Sequence, residues 1–84
     1  MKKFLVERKL PGAGKLTKAE LQEISRRSVA VISSLEQPYE WIQSFVTEDS
    51  IICIHVAESK EAIRAHARDG GFPVHKIEEI IQVI

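Results

Sequence analysis

Residues 39–57 read Tyr-Glu-Trp-Ile-Gln-Ser-Phe-Val-Thr-Glu-Asp-Ser-Ile-Ile-Cys-Ile-His-Val-Ala. Two runs rich in aromatic and β-branched residues, Tyr39 to Thr47 and Ile51 to Ala57, flank the polar turn Glu48-Asp49-Ser50. Such side chains suit a pleated, half-buried surface, so both runs predict strands. Three turn residues between two strands predict a hairpin. This hairpin divides the chain into two halves, and the fold follows from what each half adds.

On the N-terminal side, Thr17-Lys18-Ala19-Glu20 is a capping box, with Leu16 and Leu21 at the staple positions around it. Leu21, Ile24, Ser28, Val31, Ile32 and Leu35 follow at spacings of three and four, one apolar helical stripe. Pro38 ends that helix. Further out, Phe4 to Lys9 alternates as a strand, with Phe4, Val6 and Arg8 on one parity and Leu5, Glu7 and Lys9 on the other. On the C-terminal side, Ser59 caps a second helix whose buried face is Ala62, Ile63, His66 and Ala67. Gly70 and Gly71 stop it, with Pro73 just beyond. His75 to Ile84 is expected to form the last strand; its Ile77, Ile80, Ile81 and Ile84 do not alternate, which predicts a bulge or two-sided burial.

The order strand, helix, strand, strand, helix, strand contains two crossovers, which must be right-handed. It predicts an α+β, ferredoxin-like βαββαβ fold spanning 1–84 as a single domain, a four-stranded antiparallel sheet with both helices on one face. The helix-facing parity is expected to be Phe4, Val6, Ile42, Val46, Ile52, Ile54 and Val56. The open parity is then Leu5, Glu7, Trp41, Gln43, Phe45, Ile51, Cys53 and His55. So large an apolar patch is costly in water. Two such sheets facing each other would bury it, as a homodimeric α+β barrel.

Composition bounds the partners. The 84 residues carry 12 Lys plus Arg and 12 Asp plus Glu, a formal charge of zero, which argues against nucleic acid. No apolar run is long enough to cross a membrane. The one cysteine, Cys53, excludes an intramolecular disulfide framework and is what a cytoplasmic protein is expected to show.

The motifs for chemistry are sparse. Pro11-Gly12-Ala13-Gly14-Lys15 fails the phosphate-loop pattern, because Lys9 stands where its first Gly is needed and Leu16 where Ser or Thr is needed. It reads as a flexible connection. No nucleophile–base pair is visible, so no reaction and no catalytic residue is assigned. Two functions remain open. The first is a divalent transition metal held by His55, with Cys53, His66 or Glu7, since imidazole and thiolate suit such ions. The second is a small-molecule pocket between two sheets, binding or catalytic, walled by Trp41 and Phe45, with Glu7, Gln43, Cys53 and His55 as polar contacts and, if catalytic, His55 or Glu7 as the acid or base.

Phe-Leu-Val-Glu-Arg at 4–8, Trp-Ile-Gln-Ser-Phe-Val-Thr at 41–47, the Cys53 strand, and Glu-Ala-Ile-Arg-Ala-His-Ala-Arg-Asp-Gly-Gly-Phe-Pro at 61–73 carry a resemblance. They are similar to the small bacterial proteins grouped as domain of unknown function 4242, which include a nickel-binding member. The resemblance implies a ferredoxin-like fold, a homodimer, and nickel or another divalent transition metal as a bound ion.

Overall fold

The structure is a computed structural model that describes residues 1–84. Strand β1 spans Lys2–Lys9, helix α1 Lys18–Ser34, β2 Tyr39–Val46, β3 Ser50–Ala57, α2 Lys60–Gly70 and β4 Lys76–Glu79. The sheet order is β2-β3-β1-β4, and every pairing is antiparallel. This is the ferredoxin-like α+β architecture that the central hairpin and the two flanking helices predict.

Local chemistry fixes the elements. The Thr17 hydroxyl accepts from Glu20 N at 3.1 Å while Glu20 Oε1 accepts from Thr17 N at 2.9 Å, so the capping box closes both ways. Ser59 Oγ accepts from Ala62 N at the start of α2. Gly71, at φ 68°, ends α2 in left-handed geometry, which a residue without Cβ adopts at no cost. The turn after α2 then folds Phe72 back, its N–H donating to Ala67 O at 2.8 Å. Gly70 makes room for it: a Cβ there would lie 2.3 Å from the Phe72 ring.

The Gly-rich loop is a bolt rather than a flexible connection. A 3-10 turn at Ala13–Lys15 lies against the hairpin turn. Gly12 N donates to Asp49 Oδ1 at 2.9 Å and Gly14 N to Glu48 O at 3.0 Å. The backbone donors that a phosphate would need are spent on the protein itself.

Two expectations fail. The last strand is only four residues, not ten. It pairs with β1 from Glu7 back to Phe4, and Ile80 N makes the final bond, to Lys3 O. Beyond that point only Lys2 of β1 remains, and Ile81, Val83 and Ile84 lie exposed.

The second failure is the parity of β3. Phe4 faces His55, Val6 faces Cys53 and Arg8 faces Ile51 across the β1–β3 pairing. Ile51, Cys53 and His55 therefore sit beneath the helices, and Ile52, Ile54 and Val56 lie half-buried on the open face. In β2 a register shift between Trp41 and Gln43 splits the strand. Trp41 opposes His55 on the helix side, whereas Gln43 and Phe45 oppose Ile54 and Ile52 on the open side. Ile42, at the shift, is exposed. The physical reason is volume. Phe4, Tyr39, Ile63, His66 and Phe72 already fill much of the space under the helices. The central strand places the small Cys53 and Ala57 beside Ile51 and His55 there, and turns Ile52, Ile54 and Val56 outward.

Candidate functional site

The side chains with chemistry gather between the helices and the sheet, not on the open face. Tyr39, His66 and Phe72 form a stack: Tyr39 to His66 with ring centres 4.9 Å apart, His66 to Phe72 5.3 Å apart. His55 meets both Tyr39 and His66 edge-on, at 5.2 and 5.3 Å. The guanidinium of Arg8 lies 4.4 Å from the Phe72 ring centre and that of Arg27 4.8 Å from it. Facing cation and ring attract through the ring quadrupole.

These groups come from most of the secondary elements, and each is placed by a local rule. Arg8 follows Phe4 and Val6 on the inward parity of β1. His66 lies on the inner stripe of α2. Ser28 lies on that of α1, and its hydroxyl is 3.0 Å from His66 Nε2, tying the two helices together.

Protonation states follow from burial. The Tyr39 hydroxyl is pushed well above its ordinary value, chiefly by desolvation, so it stays protonated. It is hydrogen-bonded to His55 Nδ1. His55 is lowered to about 3, by desolvation first and then by the Arg8 charge. His66 is lowered to about 4 for the same two reasons, against smaller opposing effects from Ser28 and Asp69. Both imidazoles are neutral at physiological pH. With Nε2 facing Ser28, His66 Nδ1 is buried without a partner.

Two cavities adjoin this cluster and share Arg8, Ile24 and Ile51. One, of 180 Å³, lies between α1 and the β2–β3 hairpin, with Ser28, Trp41, Ser44, Cys53 and His55 in its wall. The other, of 250 Å³, is lined by Arg8, Arg27, Leu10, Leu16, Phe72 and Pro73 among others. The first exists because α1 presents Ser25 and Ser28 to the sheet, and the sheet answers with Ser44 and Cys53. These four small side chains line the gap and leave it unfilled.

Of the residues expected to line a ligand pocket, Trp41, Cys53 and His55 are brought together, on the helix side. Glu7, Gln43 and Phe45 lie on the opposite face and are not part of this cluster. Sequence reasoning missed Arg8, Tyr39, Ser28 and Phe72. For Arg8 the signal was present, since it shares the parity of Phe4 and Val6 and so had to point inward.

The chamber does not fit a transition metal within one chain. No group of three or more His, Cys, Asp or Glu side chains is placed to hold an ion. Tyr39 occupies Nδ1 of His55, and Ser44 donates to Cys53 Sγ at 2.9 Å while accepting from Trp41 Nε1. The Arg8 charge that resists protonation of both histidines would resist a dication there for the same reason.

The fold is ferredoxin-like, with a polar chamber between its helices and its sheet. The sequence profile of the SCO4226-like nickel responsive proteins matches residues 4–80, and the chain belongs to that family. The crystal structure of SCO4226 from Streptomyces coelicolor A3(2) superposes with a TM-score of 0.80 at 21% identity, covering 98% of this chain and 99% of that one. At that identity the likeness speaks for the fold. No curated protein matches the sequence.

Proposed function

We propose that this member of the nickel responsive family is a small-molecule-binding homodimer, and that its ligand sits between α1 and the sheet. The observation that carries the reading is the 180 Å³ cavity, where Trp41 supplies an apolar wall and Arg8, Ser28, Ser44 and His55 supply polar groups. Few convergent polar groups in a concave, mostly apolar site are what small-ligand pockets use. A cavity of about 150 Å³ already holds a benzene ring. Trp41 is the only tryptophan, so its fluorescence reports the site. Native mass spectrometry of tag-free protein from its own source is expected to show a dimer that retains an organic molecule. A bare chain, with Trp41 emission unmoved by any member of a small-molecule library, would overturn this.

The dimer rests on the open face, where Leu5, Phe45, Ile52, Ile54 and Val56 share one surface. A second copy would cover about 800 Å² per partner in an ordinary stable dimer. Light scattering that shows only a 9.5 kDa species at micromolar concentration overturns it.

A second reading comes from the family match over residues 4–80: nickel or another divalent ion, with a cytoplasmic role that the single cysteine fits. Since one chain does not assemble the donors, the ion would need ligands from two chains. Calorimetry with Ni²⁺, Co²⁺ and Zn²⁺ tests it; no heat with any of the three removes it.

A further inference from the structure

We infer that the ligand of this chamber is an organic anion, a carboxylic acid with an apolar body, whose carboxylate is bound by Arg8 with help from Arg27. The inference rests on the small-molecule reading above and adds the chemical class.

Arg8 is the unusual residue. It is 4% exposed, it forms no ion pair, and its Nε is buried without a hydrogen-bond partner. All of the ion pairs in the fold lie at the surface, between other residues. A buried guanidinium is costly unless something compensates its charge. The Phe72 ring compensates in part, but a ring accepts none of the five N–H donors. A carboxylate is the group whose geometry matches that fork, through two parallel N–H···O bonds.

The surroundings favour the same charge. Arg8 borders both cavities, and neither wall contains an Asp or a Glu. The second cavity adds the Arg27 guanidinium, so two cations converge beside one aromatic ring. The body of the ligand lies in the first cavity, which Arg8 also borders and whose apolar wall is Leu21, Ile24, Trp41, Val46 and Ile51. A bare inorganic anion would leave those apolar walls unused. An aliphatic or aromatic acid uses both, with its carboxylate on the arginines and its body against the hydrocarbon. The neutral state of His55 and His66 keeps Arg8 as the fixed positive charge at the centre of the cluster.

The experiment titrates the full chain with benzoate and hexanoate and, in parallel, with benzamide and hexanamide, reading Trp41 fluorescence and calorimetric heat. The acids are expected to bind, and the amides to bind at least tenfold more weakly. Arg8→Gln should weaken the acids at least tenfold and leave the amides unchanged. Because Arg8→Gln alters a buried site, Arg27→Gln, at an exposed residue, is the companion variant, expected to weaken the acids several-fold with an unchanged melt. Amides that bind as well as acids would overturn the anion while leaving a small-molecule pocket standing. Acid affinity that survives both arginine substitutions would also overturn it. Failure of all four compounds to bind would count against the anion and the pocket together.

Discussion

The two faces of this one sheet solve opposite problems. Beneath the helices, a tyrosine, two histidines and an arginine are held out of water, and each polar atom needs a partner or a reason. On the open face, Ile52, Ile54 and Val56 carry no polar burden but stand half in solvent. A fold built for stability alone would have exchanged them. On the proposed reading the two faces have separate roles: the helix side holds the ligand chamber, and the open side is the surface for a second copy. Acid, point substitution and assembly should then strike the two faces differently.

The largest difference is expected under acid. His55 and His66 are lowered from an ordinary 6.5 to about 3 and about 4, by burial first and Arg8 second. The unfolded chain takes up these two protons as pH falls through 6.5, whereas the folded chain resists them until its own lower values. Their stabilising contribution is thus complete above neutrality and is lost progressively as pH falls from 6.5 towards 4. At pH 5 the loss should be about 2 kcal/mol per histidine, or about 4 kcal/mol together. Urea unfolding at pH 7 and pH 5 measures it; equal stability at the two values would mean that neither imidazole is sequestered.

Ile54→Lys attacks the other face. Its effect on the isolated fold should be small, because the residue is only half-buried. Its effect on the proposed dimer should be large, since each copy would bury a lysine in the interface. We expect dissociation to ease at least a hundredfold, about 2.7 kcal/mol. Sedimentation velocity of the wild type and the variant reads it. A variant that assembles as well as the wild type would place the interface elsewhere.

Gly70→Ala returns to the chamber. Alanine favours a helix over glycine by about 1 kcal/mol. Here its methyl would lie 2.3 Å from the Phe72 ring, which is packed against His66 and Arg8. Displacing the ring should outweigh the propensity gain, for a net loss of about 1–2 kcal/mol. The same variant should weaken carboxylate binding, because Phe72 positions both arginines. Greater stability than wild type would show that the ring is free to move.

How much of this was legible in the sequence depends on the scale of the signal. The elements and their order were readable because each had a local cause: the capping box at Thr17, the serine cap at Ser59, the glycine at 71 and the polar hairpin turn. The inner parity of β1 was readable from Phe4 and Val6. The parity of β3 was not, since Ile51, Cys53, His55 and Ala57 and the alternating Ile52, Ile54 and Val56 are both apolar enough to be core. Apolar character alone favoured the branched set. The pairing with β1 decided otherwise, and the register shift at Ile42 separated Trp41 from Gln43 and Phe45. Placing the candidate site on the open face followed from that one inverted strand. Arg8 is missed for a different reason: it shares the parity of Phe4 and Val6, but a charge gives no apolar signal and the helix-facing set omits it, whereas burial makes it the centre of the cluster.

The smallest predicted effect belongs to a residue on neither face. Thr17 closes the capping box of α1 from the exposed end of the helix and touches neither cavity nor the open sheet. Thr17→Ala removes the oxygen that accepts from Glu20 N and should cost about 1 kcal/mol. Thr17→Ser retains that oxygen and should cost little. If helix stability and site geometry are separable, both variants will bind benzoate and assemble as the wild type does, and only the alanine variant will melt earlier. Thermal melts beside calorimetric titrations decide this. A change in binding without a change in melting would mean that the start of α1 helps to shape the chamber, and that the 180 Å³ cavity responds to the helix end rather than to Ser25, Ser28, Ser44 and Cys53 alone.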